Sequence, residues 1–100
     1  MDPQLRRKER ARGYILKILL QSYPNATDAE VVYFTLNDLG FTMDKAAYDF
    51  HIGYLVEKGL VKEEKRTAGK RISLRMLSAT SRGVDVMDGR CEECGVDIEL

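Results

Sequence analysis

The chain has 100 residues, 44% of them apolar and 32% charged, which suits one globular domain with its own core. Sixteen Lys and Arg balance sixteen Asp and Glu, and a net charge of zero argues against a general nucleic-acid binder. No apolar run approaches the roughly 20 residues that span a bilayer, and the basic N-terminus lacks the apolar segment of a secretory signal, so we expect a cytoplasmic protein without a membrane partner. In that compartment Cys91 and Cys94 are expected to be reduced.

Charge is not spread evenly. Residues 1–17 carry a net +4, 18–57 a net −5, 58–82 a net +6 and 83–100 a net −5. Two basic segments separated by acidic ones can present a basic face on a neutral molecule.

The first helix is expected from about Gln4 to Tyr23, ended by Pro24-Asn25. Tyr14, Ile15, Ile18 and Leu19 form its apolar stripe, widened by Leu16 and Leu20. Its first half, with Arg6, Arg7, Lys8, Arg10 and Arg12, reads as a basic extension without an apolar face, either an arm or a frayed end.

Thr27-x-x-Glu30 matches a capping box for a second helix carrying Val31, Val32, Phe34, Leu36 and Leu39. Gly40 stands where a left-handed residue ends that helix, and Phe41 follows as an apolar plug. Thr42 is the next candidate cap, with Asp44 beside the positive end of a third helix that runs to Lys58 and stops at Gly59. Tyr48, Ile52 and Leu55 share one face of it and should be buried. Asp44, Lys45, Ala47, Asp49, Phe50 and His51 are then expected to point outward, and Tyr54 is read as exposed beside Phe50.

After Gly59 the period changes. Leu60-Val61-Lys62 and Ile72 to Met76 read as strands. Glu63 to Arg71 joins them as a polar hairpin, with Lys65, Arg66, Lys70 and Arg71 flanking a small tip at Thr67-Ala68-Gly69. A last helix is expected from Ser81 to Met87, stopped by Gly89. Residues 90–100 have no clear period and read as an acidic tail, either unordered or docked on a partner.

The stretch Tyr48-x-x-x-Ile52-x-x-Leu55-Val56-Glu57-Lys58-Gly59-Leu60-Val61, the hairpin, and Leu77 to Gly89 together resemble winged helix-turn-helix regulators of the ArsR-, MarR- and PadR-like bacterial group. The small size also resembles winged-helix proteins encoded by phages. The resemblance covers about residues 10–89 and implies an α+β, mainly α fold: a three-helix helix-turn-helix core, a two-stranded β-hairpin wing and a C-terminal helix. Residues 1–89 would form the winged-helix domain with its basic extension, and 90–100 the tail.

The function this implies is transcriptional regulation by a homodimer on double-stranded DNA, with the third helix in the major groove and the wing on the backbone. Lys45, Asp49, Lys65, Arg66, Lys70 and Arg71 are the candidate DNA-binding residues. Asp44 and Asp49 would repel phosphates, so a protein-interaction module working through Phe50 and Tyr54 is the alternative. Cys91-Glu92-Glu93-Cys94 has the spacing of half a zinc site or of a dithiol switch, which makes a metal- or redox-sensing regulator the third reading. No cofactor is otherwise expected. No nucleophile elbow, phosphate-cradling loop or paired-carboxylate constellation points to an enzyme.

Overall fold

A computed structural model of the chain describes residues 2–98. These residues form four helices and one three-stranded antiparallel sheet, in the order α1 (Pro3–Leu20), β1 (Thr27–Asp28), α2 (Ala29–Asp38), α3 (Lys45–Glu57), β2 (Val61–Ala68), β3 (Ile72–Ala79) and α4 (Ser81–Met87). About half the chain is helical, and the fold is α+β. No helix among the described residues is long and apolar enough to cross a membrane.

The core sits where α1, α2 and α3 meet the base of the sheet. Ile15, Leu16 and Leu19 from α1 pack with Val32 and Leu36 from α2 and with Tyr48, Ile52 and Leu55 from α3. Leu60, Val61 and Leu77 close it from the base of the hairpin, and Val86 adds to it from α4. Burial of each such side chain contributes about 1.5–3 kcal/mol. Tyr48 can lie in this core because its hydroxyl donates to the Ala29 carbonyl at 2.8 Å. Burial pushes its pKa up.

Local signals decide the element ends, and several differ from the expected ones. Asp2 caps α1 by accepting from the Gln4 N–H, and Pro3 follows at the first helical position, where its missing donor is harmless. The α1 helix ends at Leu20, before the proline. The α2 cap is Asp28, which accepts from the Glu30 N–H at 2.9 Å, and not Thr27. Thr27 is instead drawn into β1, paired with Leu77 of β3, and its buried Oγ1 has no partner. The α3 cap is Asp44, accepting from the Ala47 N–H, and not Thr42. Gly40 and Gly59 do take the left-handed conformation expected at the two helix ends, with φ of 98° and 76°.

Two further expectations change. Val31, Phe34 and Leu39 are exposed by half or more, so α2 buries only Ala29, Val32 and Leu36. The hairpin is longer than predicted: residues 63–68 belong to the ladder, which runs in register from Val61 opposite Ala79 to Ala68 opposite Ile72. Only residues 69–71 turn, with Gly69 at φ 65°.

The tail folds back on its own chain. Val96 is buried, and Cys91 and Ile98 pack against the core. The Asp97 N–H donates to the Glu9 carbonyl at 3.0 Å. Glu93 is nearly buried between Arg82, at 3.1 Å, and Lys58, at 3.9 Å. The segment after Gly89 is thus part of the domain up to residue 98.

Candidate functional site

The α3 helix and the base of the hairpin share the core through Leu55, Leu60 and Val61, and one arginine bridges them on the surface. Arg75 on β3 donates to Asp49 of α3 and to Glu63 of β2. In the register Arg75 faces Lys65 and Leu77 faces Glu63, and paired residues share a face. Glu63, Lys65 and Arg75 therefore stand on the α3 side of the hairpin. Burial works against the Arg75 charge, but its hydrogen bonds to Glu63 and Asp49 outweigh that and raise its pKa.

The candidate contact residues divide into two groups. Three are committed within the molecule: Lys45 pairs with Glu30 and stands 5.0 Å from the Tyr33 ring, Asp49 pairs with Arg75, and Arg66 pairs with Glu64 at 2.9 Å. Lys65, Lys70 and Arg71 are exposed, and none forms an ion pair among the described residues. Among the candidate contact residues, the unneutralised positive charge is therefore at the hairpin tip and its α3-side edge. The outward surface of α3, with Asp44, Lys45 and Asp49, is balanced or acidic.

Phe50 is 65% exposed, as expected of an outward α3 position. With Gly53, Tyr54 and Glu57 it borders a shallow cleft. Tyr54 differs from expectation. It is half-buried, with the Arg12 guanidinium 4.0 Å from its ring centroid and Gly95 of the tail against its hydroxyl end. That leaves Phe50 as the exposed aromatic of α3.

His51 also departs from the outward position assigned to it: only 4% of its surface is accessible. Its Nδ1 accepts from Arg12 Nε at 3.1 Å, and Arg12 also donates to the Gly95 carbonyl at 3.1 Å. Desolvation on burial, then the nearby charges of Arg12 and Lys8, lower the His51 pKa to about 4, so the ring is neutral at pH 7. Arg12, 6% exposed, is thus no part of a free basic arm. Arg7, which donates to the Gly40 carbonyl at 3.0 Å, and Arg10, which pairs with Asp97 at 3.8 Å, are likewise engaged.

This clamp of Arg12, His51, Tyr54 and Gly95 is not among the expected features. One signal for it stands in the sequence. Gly13 stands inside a long helix immediately before its apolar stripe, and a glycine there leaves room for close approach of another backbone. The approaching group is the Asp97 carbonyl oxygen, 1.9 Å from where a Gly13 Cβ would be.

Cys91 packs partly into the core and Cys94 is exposed, both as free thiols. Among the described residues no three His, Cys, Asp or Glu side chains gather into a group that could hold a metal.

No protein-family model matches the chain, and no curated protein matches it.

Proposed function

We propose that this protein is a winged-helix regulator that binds duplex DNA through its hairpin tip, with α3 beside it on the duplex. The observation that carries the reading is the set of free cations, Lys65, Lys70 and Arg71, on a long hairpin tied to α3 through Arg75 and Asp49. The element order α1-β1-α2-α3-β2-β3-α4 supports it, since two helices joined by a short turn and followed by a hairpin are the parts of a winged helix.

Each group has a stated role in this reading. Lys65, Lys70 and Arg71 contact phosphates and release counterions. Lys45 joins them by exchanging Glu30 for phosphate, because an exposed ion pair is worth only about 0–1 kcal/mol. Asp49 acts from behind by holding Arg75. Arg66, already paired with Glu64, contributes less. Two copies would set paired half-sites in a cytoplasmic transcription regulator, and no catalytic step is assigned.

The test is fluorescence anisotropy on a random-sequence duplex, at low and then near-physiological salt. Binding with a steep salt dependence is expected. Absence of binding at low salt overturns the reading.

A second reading is favoured by Phe50, a large apolar side chain exposed on the same balanced face of α3. In it α3 docks on a protein, and Phe50→Ala dissociates that complex or a homodimer while DNA affinity stays unchanged. Analytical ultracentrifugation of the two proteins decides it, and an unaltered oligomer and partner profile sinks it.

A further inference from the structure

On the opposite side of α3 from the hairpin lies a cleft of about 300 Å³, between the first turns of α1 and the α2–α3 connection. Its size is at the lower end for small-molecule sites. Ala11, Met43 and Ala47 line it as apolar walls, and Arg7 and Lys8 line it with cations. Arg7 is anchored on the Gly40 carbonyl, whereas Lys8 is exposed and has no ion-pair partner among the described residues.

The third element of the cleft is His51, whose side chain is almost wholly buried yet lines it. Its Nδ1 accepts from an arginine N–H, so Nδ1 carries no proton. The proton of the neutral ring is therefore on Nε2, which makes that atom a hydrogen-bond donor. No acceptor from the described residues meets it. Nor is it sealed in the interior, where Thr27 Oγ1 is the sole unpartnered side-chain polar atom among the described residues. Nε2 is therefore open to solvent, and the cleft is the cavity that His51 lines, so an acceptor bound there can take its proton in a hydrogen bond.

We propose that this cleft binds a small organic monocarboxylate, held between the Lys8 ammonium and the His51 Nε2–H, with its apolar body against Ala11, Met43 and Ala47. Lys8 supplies one ion-pair partner, and Arg7, whose hydrogen bond to a neutral carbonyl leaves its charge in place, adds to the positive field. The apolar walls select against a bare inorganic anion, which would lose hydration there and gain nothing. Because His51 belongs to α3, an occupant would touch the helix that carries Phe50 and Asp49, from its other side. The inference stands independently of DNA binding.

The test is a titration of the full chain with benzoate and with hexanoate, followed by NMR of backbone amides and of the His51 ring nitrogens. Saturable shifts confined to the cleft, at Lys8, Ala47 and His51 Nε2, are expected below about 20 mM. Lys8→Gln should weaken binding about tenfold, since it removes a charge-assisted hydrogen bond from an exposed side chain. Ala47→Met, which fills the cleft with a good helix former, should abolish binding. The proposal is overturned if neither acid gives a saturable shift, if both variants bind as the parent does, or if inorganic phosphate produces the same shifts at the same concentrations.

Discussion

Arg12 Nε donates to His51 Nδ1 across 3.1 Å, joining the first half of α1 to the inner side of α3. The contact requires a neutral imidazole. A proton on Nδ1 would turn the acceptor into a donor facing a guanidinium.

This makes stability depend on pH in a defined direction. The His51 pKa is lowered to about 4, against an ordinary value of about 6.5. Between those values the unfolded chain binds the proton and the folded chain does not. The contribution is therefore complete above pH 6.5 and is lost as pH falls toward 4, by up to about 3 kcal/mol. Thermal unfolding between pH 7.5 and 4.5 should show that loss in the parent and a flatter profile in His51→Gln. An imidazole titrating above pH 6 by NMR would refute the assignment.

The hairpin makes a separate prediction, about charge and not about stability. Replacing Lys65, Lys70 and Arg71 together by alanine should lower the slope of log K against log salt for duplex DNA by about two to three, at roughly 0.9 per phosphate contact. Arg66→Ala should move the slope far less, because Glu64 already neutralises Arg66 at 2.9 Å. If the two variants changed the slope equally, the division into free and committed cations would be wrong.

Legibility in the sequence followed the physics of each element. The faces of α1 and α3 that meet in the core were readable, since Tyr48, Ile52, Leu55, Ile15 and Leu19 fall at helical spacing, and so were the stops at Gly40 and Gly59, whereas α2 mixes buried Val32 and Leu36 with exposed Val31, Phe34 and Leu39. The caps were displaced because Thr and Asp at neighbouring positions are both competent, and only the pairing of Thr27 with Leu77 decides between Thr27 and Asp28. The outer hairpin looked like a loop because both of its faces are solvated, so no alternation of hydropathy marks residues 63–68 as strand. The tail was opaque for another reason. Much of its docking uses backbone groups, the Gly95 carbonyl and the Asp97 N–H, which leave no pattern in side chains. Of the candidate site, the free cations of the hairpin and the exposure of Phe50 were visible, whereas the burial of His51 and Arg12 depended on that tail.

Thr27 offers a stabilising change. Its Oγ1 is buried with no hydrogen-bond partner, although the residue sits in a strand where β-branching is favourable. Thr27→Val keeps the shape and removes the unmatched hydroxyl, and should stabilise the fold by about 1 kcal/mol in urea denaturation. A loss of stability would show that the hydroxyl has a partner, such as a bound water.

Two glycines inside helices should respond to the same substitution with opposite signs. Alanine in a helix interior is ordinarily better than glycine by about 0.8–1.0 kcal/mol. Gly53 in α3 has nothing within 4 Å of where a Cβ would stand, so Gly53→Ala should realise that gain. Gly13 in α1 has the Asp97 carbonyl oxygen 1.9 Å from the same position, and backbone cannot give way as a flexible side chain would. Gly13→Ala should therefore displace the tail, costing the Asp97–Glu9 hydrogen bond and the burial of Val96, for a net loss of about 1–3 kcal/mol. Proteolysis provides a readout beyond stability: the displaced tail of Gly13→Ala should be cut between Arg90 and Ile98 under conditions that leave Gly53→Ala intact. Equal protection of the two variants would mean that the tail does not lie over Gly13.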